Sequence, residues 1–300
     1  MPQYQGYAEK LIGVLDKNNN NQAHYALPIN GECVSLNNFI GQKIILEHTQ
    51  SIRCIACLRK ITKSFQNGYC FVCTQKLAQC DLCIVKPERC HYEQGTCREP
   101  AWGEKHCLQD HIVYLANSSG LKVGITREKN IPGRWIDQGA TQALPIFRVK
   151  DRKTSGLIEV VLAKYVADKT DWRKMLKGPA ENLDLRALRD ILLEQAAQDL
   201  KNLGLNNFDY TSPLVGEIDG EGGGVNPLFI PRVINYPVLK YPEKISSLNL
   251  LKTPRIEGVL MGIKGQYLMV QHQVAAGPSS IGVLNCRHLA GLELELQLGD

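Results

Sequence analysis

Apolar and polar positions alternate most regularly in two stretches of the chain. From His111 to Thr126 five strand formers, Ile112, Val113, Tyr114, Leu115 and Ala116, precede the polar turn Asn117-Ser118-Ser119-Gly120, and Leu121-Lys122-Val123-Gly124-Ile125-Thr126 follows at period two. β-Branched and aromatic residues bounded by turn chemistry predict a hairpin. If it closes symmetrically about the four turn residues, Tyr114 faces Val123 and Lys122 points to the opposite side. Toward the C terminus, RIEGVLMGIKGQYLMV, SIGVLNCRHLAG and LELELQL alternate in short Gly-separated runs, which predicts antiparallel strands. Helical spacing appears in Leu157–Val166 and again in LDLRALRDILLEQAAQDLKNLGL, which Gly204 ends. A shorter helix around Arg134 starts at Pro132 and is ended or kinked at Gly139-Ala140. Near the N terminus YAEKLIGVLD reads as a short helix and Lys17–Asn21 as a loop, and QKIILEHTQSIRC reads as strands running into the first cysteine. GEIDGEGGG, residues 216–224, lacks the Lys-Ser/Thr of a phosphate-binding loop and reads as a flexible loop or linker.

At 300 residues the chain exceeds the roughly 100–200 residues of one domain. The pattern divides it into a β-rich segment over 1–53, a Cys-rich segment over 54–110, an α/β domain with a helical extension over 111–224, and an antiparallel β domain over 225–300. The fold class is α+β, with the two terminal β segments expected to complete one composite barrel around the central insert. No apolar run approaches the roughly 18 residues of a membrane span. The N-terminal residues lack the basic and apolar regions of a secretory signal, so a cytoplasmic protein is expected.

Nine of the eleven cysteines fall between Cys54 and Cys107, largely as C-x-x-C pairs, which in a reducing compartment means metal. Cys33 and Cys286 lie outside and read as plain buried thiols. Cys54, Cys57, Cys70 and Cys73 form C-x2-C-x12-C-x2-C, in which two turns each offer two thiolates to one ion; a closed four-thiolate shell suits structural Zn²⁺. A second set, Cys80, Cys83, Cys90, Cys97 and Cys107 with His91, His106 and His111, holds more candidates than one tetrahedral site needs. A second zinc is the first reading, and two interleaved sites or an iron–sulfur cluster are the alternatives. Large apolar side chains are scarce between these ligands, as expected where metal supplies the folding energy. Phe71, Tyr92 and Trp102 read first as packing against the metal knuckles and second as stacking surfaces for bases.

Charge is concentrated immediately beyond the cysteines. Residues 111–180 carry thirteen Lys and Arg against six Asp and Glu, a net of about +7 in a chain whose total is +5. Such a concentration favours a phosphate-bearing partner.

Within that basic segment Tyr114, the Lys122-Val123-Gly124 triplet, Arg134 and Glu159 stand in the order used by the GIY-YIG endonucleases, and the GLKVGIT…RW spacing resembles the phage-type branch. The resemblance implies a small α/β nuclease domain with catalytic residues Tyr114, Lys122, Gly124, Arg134 and Glu159. Glu159 would hold Mg²⁺ or Mn²⁺ through a hard oxygen ligand, Arg134 would grip the scissile phosphate, Tyr114 would orient a water or help take its proton, and Lys122 would assist. The signature's first Gly is replaced by Ile112 and its second Tyr by Lys122. Through TCREPAWGEKHC and RWIDQGA the chain also resembles a bacterial family of uncharacterised proteins.

These residues point to a zinc-containing protein that hydrolyses nucleic-acid phosphodiesters with Mg²⁺. The alternative is a zinc-dependent RNA (tRNA) or DNA binder without catalysis, part of an RNA modification system; a zinc cluster that serves a protein partner is the third reading. Lys264, Tyr267, Asn285, Arg287 and His288 are further candidate nucleic-acid contacts in the C-terminal strands.

Overall fold

The first fifty residues form five strands, β1 (Gln3–Tyr7), β2 (Ile12–Asp16), β3 (Gln22–Ile29), β4 (Glu32–Ser35) and β5 (Lys43–Arg53). The structure, a computed structural model, describes residues 2–16, 18–204, 218–219, 224–225, 230–274 and 277–299. The helix expected at YAEKLIGVLD does not form: Tyr7 closes β1 and Ile12 opens β2, each satisfying its backbone on a neighbouring strand. Long-range pairing here outweighs the weak helical preference of a few residues around Gly13. The polar run at residues 18–21 is the turn between β2 and β3, as its composition predicts.

β6 (Lys60–Ile61) leads into the Cys-rich segment, which contains only α1 (Phe71–Lys76), several single 3₁₀ turns and α2 (Pro100–His106). Then come β7 (His111–Asn117), β8 (Leu121–Arg127), α3 (Gly133–Asp137), β9 (Gln142–Val149), α4 (Arg152–Leu162), α5 (Trp172–Met175) and α6 (Leu185–Lys201). The remaining strands are β10 (Ile218–Asp219), β11 (Gly224–Val225), β12 (Arg232–Val233), β13 (Ser246–Leu248), β14 (Arg255–Lys264), β15 (Tyr267–Val274), β16 (Gly277–Asn285) and β17 (Leu292–Leu298). Of the Gly-rich stretch at 216–224, only the short strands β10 and β11 are described, and the linker reading otherwise lies outside the described residues.

The two ends of the chain do share one sheet, in the order β1-β17-β5-β14-β15-β16-β13, with β6 also on β5. β5 lies between β17 and β14, so an N-terminal strand is enclosed by C-terminal ones. The expected closed barrel is a correction. β1 and β13 end the sheet without pairing to each other, and the apolar face is covered instead by the three-stranded sheet β2-β3-β4 and by α3. Tyr25 and Leu27 from β3, Trp135 and Ile136 from α3, and Leu46 and Leu260 from the large sheet meet in one buried cluster.

A four-stranded sheet, β12-β9-β7-β8, lies between that cluster and a second one. β7 is buried at all of its seven positions. Ile112, Tyr114 and Ala116 point into the first cluster; Val113 and Leu115 point at Ile158 of α4 and Leu192 of α6. Coverage on both faces explains why this strand reads as a continuous apolar run rather than as an alternation. Cys33, expected to be buried, is exposed on β4, whereas Cys286 is fully enclosed.

Candidate functional site

The hairpin register decides which side chains meet. Asn117 pairs with Leu121, leaving the three-residue loop Ser118-Ser119-Gly120, and Tyr114 therefore pairs with Gly124, not Val123. Ala116 pairs with Lys122. Paired residues share a face and the period is two, so the shortened loop places Tyr114, Gly124 and Lys122 on one side. Shortening the loop by one residue removes the separation that the four-residue turn implied. Gly124 has a steric reason to be glycine: a Cβ there would stand 2.7 Å from the Tyr114 hydroxyl, because the phenol lies across it.

Tyr114 is fully buried, with its ring edge-on to Trp135 at 5.9 Å between centroids, and its hydroxyl accepts a bond from Gln138 Nε2 at 2.5 Å. Burial pushes its pKa up, while the nearby Arg134 guanidinium, also within reach of the hydroxyl, pulls it back. Arg134 itself is exposed on α3. Four residues separate Arg134 from Gln138, one helical turn, so both address the same phenol.

Lys122 is 7% exposed, and its Nζ donates to Thr170 Oγ1 at 3.4 Å. Burial first, and then repulsion from Arg134, lower its pKa to about 8. Glu159 on α4 is driven the other way: burial raises its carboxyl to about 7, with Lys122 and then Arg134 opposing the rise. The three groups are thus within electrostatic reach of one another. Arg152 also acts on Glu159, and Arg287 acts on Lys122. The site is a half-enclosed carboxylate with three cations within electrostatic reach, Lys122, Arg134 and Arg152, a fourth, Arg287, near Lys122 and Arg134, and Asp168 at its margin. Such a charge balance attracts an anion with several oxygens.

α3 is fixed in place by both ends of the chain. Asp137 pairs with Lys10 Nζ at 2.9 Å through Oδ2 and accepts from Gln266 Nε2 at 2.8 Å through Oδ1, and the Arg287 Nη2 donates to its carbonyl at 3.4 Å. The position of Arg134 therefore depends on residues 127 upstream and 129 downstream of Asp137. Lys264, expected as a nucleic-acid contact, is a correction. It is fully buried, donates to the Met175 and Gly178 carbonyls at 3.0 Å each, and lies near the rings of Tyr236 and Tyr241. Tyr267 stacks on Trp172 at 5.6 Å, Asn285 accepts from the Arg287 backbone N–H through its side chain, and Arg287 lies within electrostatic reach of Lys122 and Arg134.

In the Cys-rich segment the Sγ atoms of Cys54, Cys57, Cys70 and Cys73 all lie within 4.8 Å of one another. Cys57 and Cys70 Sγ are 3.8 Å apart, the separation of about 3.8 Å expected for thiolates bound tetrahedrally at about 2.3 Å. Cys70 caps α1, with its Sγ accepting from the Cys73 N–H at 3.4 Å, which turns both thiols of that pair inward. The four residues can hold a zinc ion. No residue from 62 to 110 belongs to any of the three hydrophobic clusters. Phe71, Leu58 and Val85 are 60%, 61% and 75% exposed, whereas Cys54, Cys70, Cys80 and Cys107 are buried. Apart from the exposed Cys57, this segment keeps its thiols buried or half-buried while these large apolar side chains lie outside.

His106 stacks on Trp102 at 4.1 Å, with its Nδ1 donating to the Trp102 carbonyl, and His111 donates through Nδ1 to the Gln109 carbonyl. Neither histidine is in a group of potential metal ligands among the described residues. No helix of the described residues is long and apolar enough to cross a membrane.

No curated protein matches the chain, and no solved structure does. Residues 41–294 match the model of a family described as a protein of unknown function, DUF2797. That span takes in the thiol cluster, the hairpin with Lys122, and Arg134, Glu159 and Arg287, so the residues of the site lie within one family unit: the chain belongs to the DUF2797 family.

Proposed function

We propose that this protein acts on nucleic acid through the Lys122–Arg134–Glu159 site, as a Mg²⁺-dependent phosphodiesterase of the GIY-YIG kind with structural zinc. The observation that carries the reading is the convergence of Lys122, Arg134 and Glu159 around Tyr114, on the side of the hairpin that the three-residue loop creates. Arg134 is exposed and planar, suited to two oxygens of a phosphate. Lys122, within its electrostatic reach, supplies a second charge where the phosphate becomes more negative during displacement. Tyr114 is closed from solvent and holds the Arg134 and Gln138 side chains in position.

The donor set bears on the divalent metal. The described residues offer no cluster of three carboxylate or imidazole ligands at this site, only Glu159 with Asp168 nearby. Mg²⁺ is commonly held by one or two carboxylates together with substrate phosphates, so the residues fit an ion that arrives with the substrate. When bound, it would withdraw charge from the scissile phosphate and activate a water. The thiol-rich segment, with a zinc at Cys54, Cys57, Cys70 and Cys73 and a second ion among Cys80–Cys107, would hold the start of β7 and α4 in register.

The test is cleavage of labelled single-stranded, duplex and structured DNA and RNA by zinc-loaded protein with added Mg²⁺. Arg134→Ala and Glu159→Ala are expected to abolish turnover, and Arg134→Ala to weaken binding as well. Cleavage that survives both substitutions overturns the reading. A second reading, recognition of structured RNA without turnover, is favoured by the full burial of Tyr114 and by Lys122 in place of a second tyrosine. Salt-sensitive binding without cleavage would select it.

A further inference from the structure

The nine thiols of the Cys-rich segment divide unevenly in space. Four make the cluster at Cys54, Cys57, Cys70 and Cys73. Cys80, which forms the next C-x-x-C pair with Cys83 in sequence, lies instead beside that first cluster, within electrostatic reach of Cys54 and Cys70 and of Arg98 and Glu99. The remaining four, Cys83, Cys90, Cys97 and Cys107, line a single small cavity of about 10 Å³, spaced more widely than the thiols of the first cluster. A void of that size has room for about one water-sized sphere. Cys83 and Cys107 each lie within electrostatic reach of Cys90, and Cys107 of Cys97.

Two other groups border the cavity, Asp81 and His91, and their ligand atoms lie within 4.8 Å of Cys83 Sγ and of each other, a rival mixed shell. Both have other engagements. Asp81 Oδ2 accepts from Arg98 Nε at 2.6 Å, and its Oδ1 caps the following turn at Cys83 N. His91 Nδ1 bonds Thr96 Oγ1 at 2.8 Å, and its Nε2 faces Asp81 Oδ2 at 3.6 Å. They form a chain around the thiols, His91 to Asp81 to Arg98, of the kind that braces a metal shell from outside.

Arg152 supplies an independent observation. It begins α4 beside this cavity, its Nη2 donates to the Ile84 carbonyl, and its Nε is buried without a hydrogen-bond partner. The groups that attract its charge are Cys107 and Cys83, ahead of Glu159. With neutral thiols Glu159 would be the one anion among these groups to offset the half-buried guanidinium, whereas four thiolates around a divalent ion carry a net charge of −2. The arginine is placed as the counter-ion of an anionic centre.

From the shared cavity, the four unassigned thiols and the unpartnered Arg152 Nε, we infer that Cys83, Cys90, Cys97 and Cys107 form a second, all-thiolate zinc site. Cys80 and His91 are not its ligands. Binding replaces the thiol protons, which pass to solvent. The site also makes the seat of α4: Arg152 N donates to the Cys107 carbonyl at 2.8 Å, and a Cβ on Gly156 would come within 2.6 Å of Glu88 N and 2.7 Å of Pro87. The loop from Cys83 to Cys107 therefore fixes the first turns of the helix that carries Glu159. The inference concerns metal content and stands whether or not the protein acts on nucleic acid.

Elemental analysis of the purified full-length chain, without nucleic acid, tests it. Two zinc ions per chain are expected, falling to one when any of Cys83, Cys90, Cys97 or Cys107 becomes Ser, and staying at two in Cys80→Ser and His91→Ala. X-ray absorption at the zinc edge of the unsubstituted chain covers the case in which a variant does not fold, and a shell of sulfur alone is expected. One zinc per chain, iron in place of the second zinc, a nitrogen ligand in the averaged shell, or an ion lost from Cys80→Ser or His91→Ala overturns the assignment.

Discussion

Gly124 is the residue on which the hairpin site turns, because the Tyr114 phenol occupies the space a side chain would need. Gly124→Ala is expected to cost on the order of 1–3 kcal/mol by overpacking and to weaken nucleic-acid binding by displacing Arg134, as read by thermal unfolding and by a binding titration. Glu159 gives a pH prediction. Its folded-state pKa, about 7, lies above the usual carboxylate value of 4.5, so its contribution to stability is complete below about pH 4.5 and is lost as pH rises through 7. Lys122, lowered to about 8 from 10.5, makes stability depend on pH only above that lower value, where stability rises with pH. Thermal midpoints without added Mg²⁺, taken from about pH 5 to 7.5, are therefore expected to fall more steeply for the unsubstituted chain than for Glu159→Gln; equal slopes would show that Glu159 does not titrate as its surroundings imply. At this scale the resemblance singled out Tyr114, Lys122, Arg134 and Glu159, and the structure places these four within electrostatic reach of one another or on one face of the hairpin. Gln138 could have been found from its position one turn beyond Arg134. Arg287 was expected as a nucleic-acid contact, but its place beside Arg134 was not legible, since 153 residues separate the two and only the tertiary fold joins them.

Among the elements, the Cys-rich segment and the hairpin differ in how far their sequences reveal them. C-x2-C spacing is local covalent information, and the four-thiol cluster forms where that spacing puts it. The hairpin's existence was legible from its strand formers, but its register was not, because a three- or four-residue loop satisfies the same Asn-Ser-Ser-Gly composition and one residue reverses every side chain. β9 went unread because its alternation is masked: all but two of its eight residues are buried, and Pro145 interrupts the run. The thiols-in, apolar-out arrangement predicts how the segment responds to chelation. Removal of zinc is expected to raise amide hydrogen exchange across residues 54–110 and in the first turn of α4, while β14, β15 and β17 keep their protection. Uniform loss of protection would mean that the metal supports the whole fold.

For the molecule as a whole, the first buried cluster links distant parts of the chain. Trp135, 1% exposed, belongs to it together with Leu27 from the N-terminal strands and Leu260 and Leu294 from the C-terminal ones. Trp135→Ala is expected to cost about 3–5 kcal/mol and to lower the far-ultraviolet transition of the entire chain in one step, rather than splitting off the α/β part. The composite of N- and C-terminal strands was legible as alternation at both ends, but barrel closure was not, because alternation states which face is buried and leaves open what covers it.

Cys33 offers a practical handle. It is exposed on the outer strand β4 and belongs to no group of potential metal ligands among the described residues, while Cys286 is sealed in the core. With both zinc sites filled and Cys80 enclosed beside the first, a maleimide dye should attach once per native chain, at Cys33, and a fluorophore placed there would report on binding without disturbing the site. Denaturing the chain in the presence of a chelator should raise the number of reactive thiols to the full eleven. The fluorescence ratio between the two states would count the thiols that the native chain withholds, the metal-bound ones together with Cys80 and Cys286.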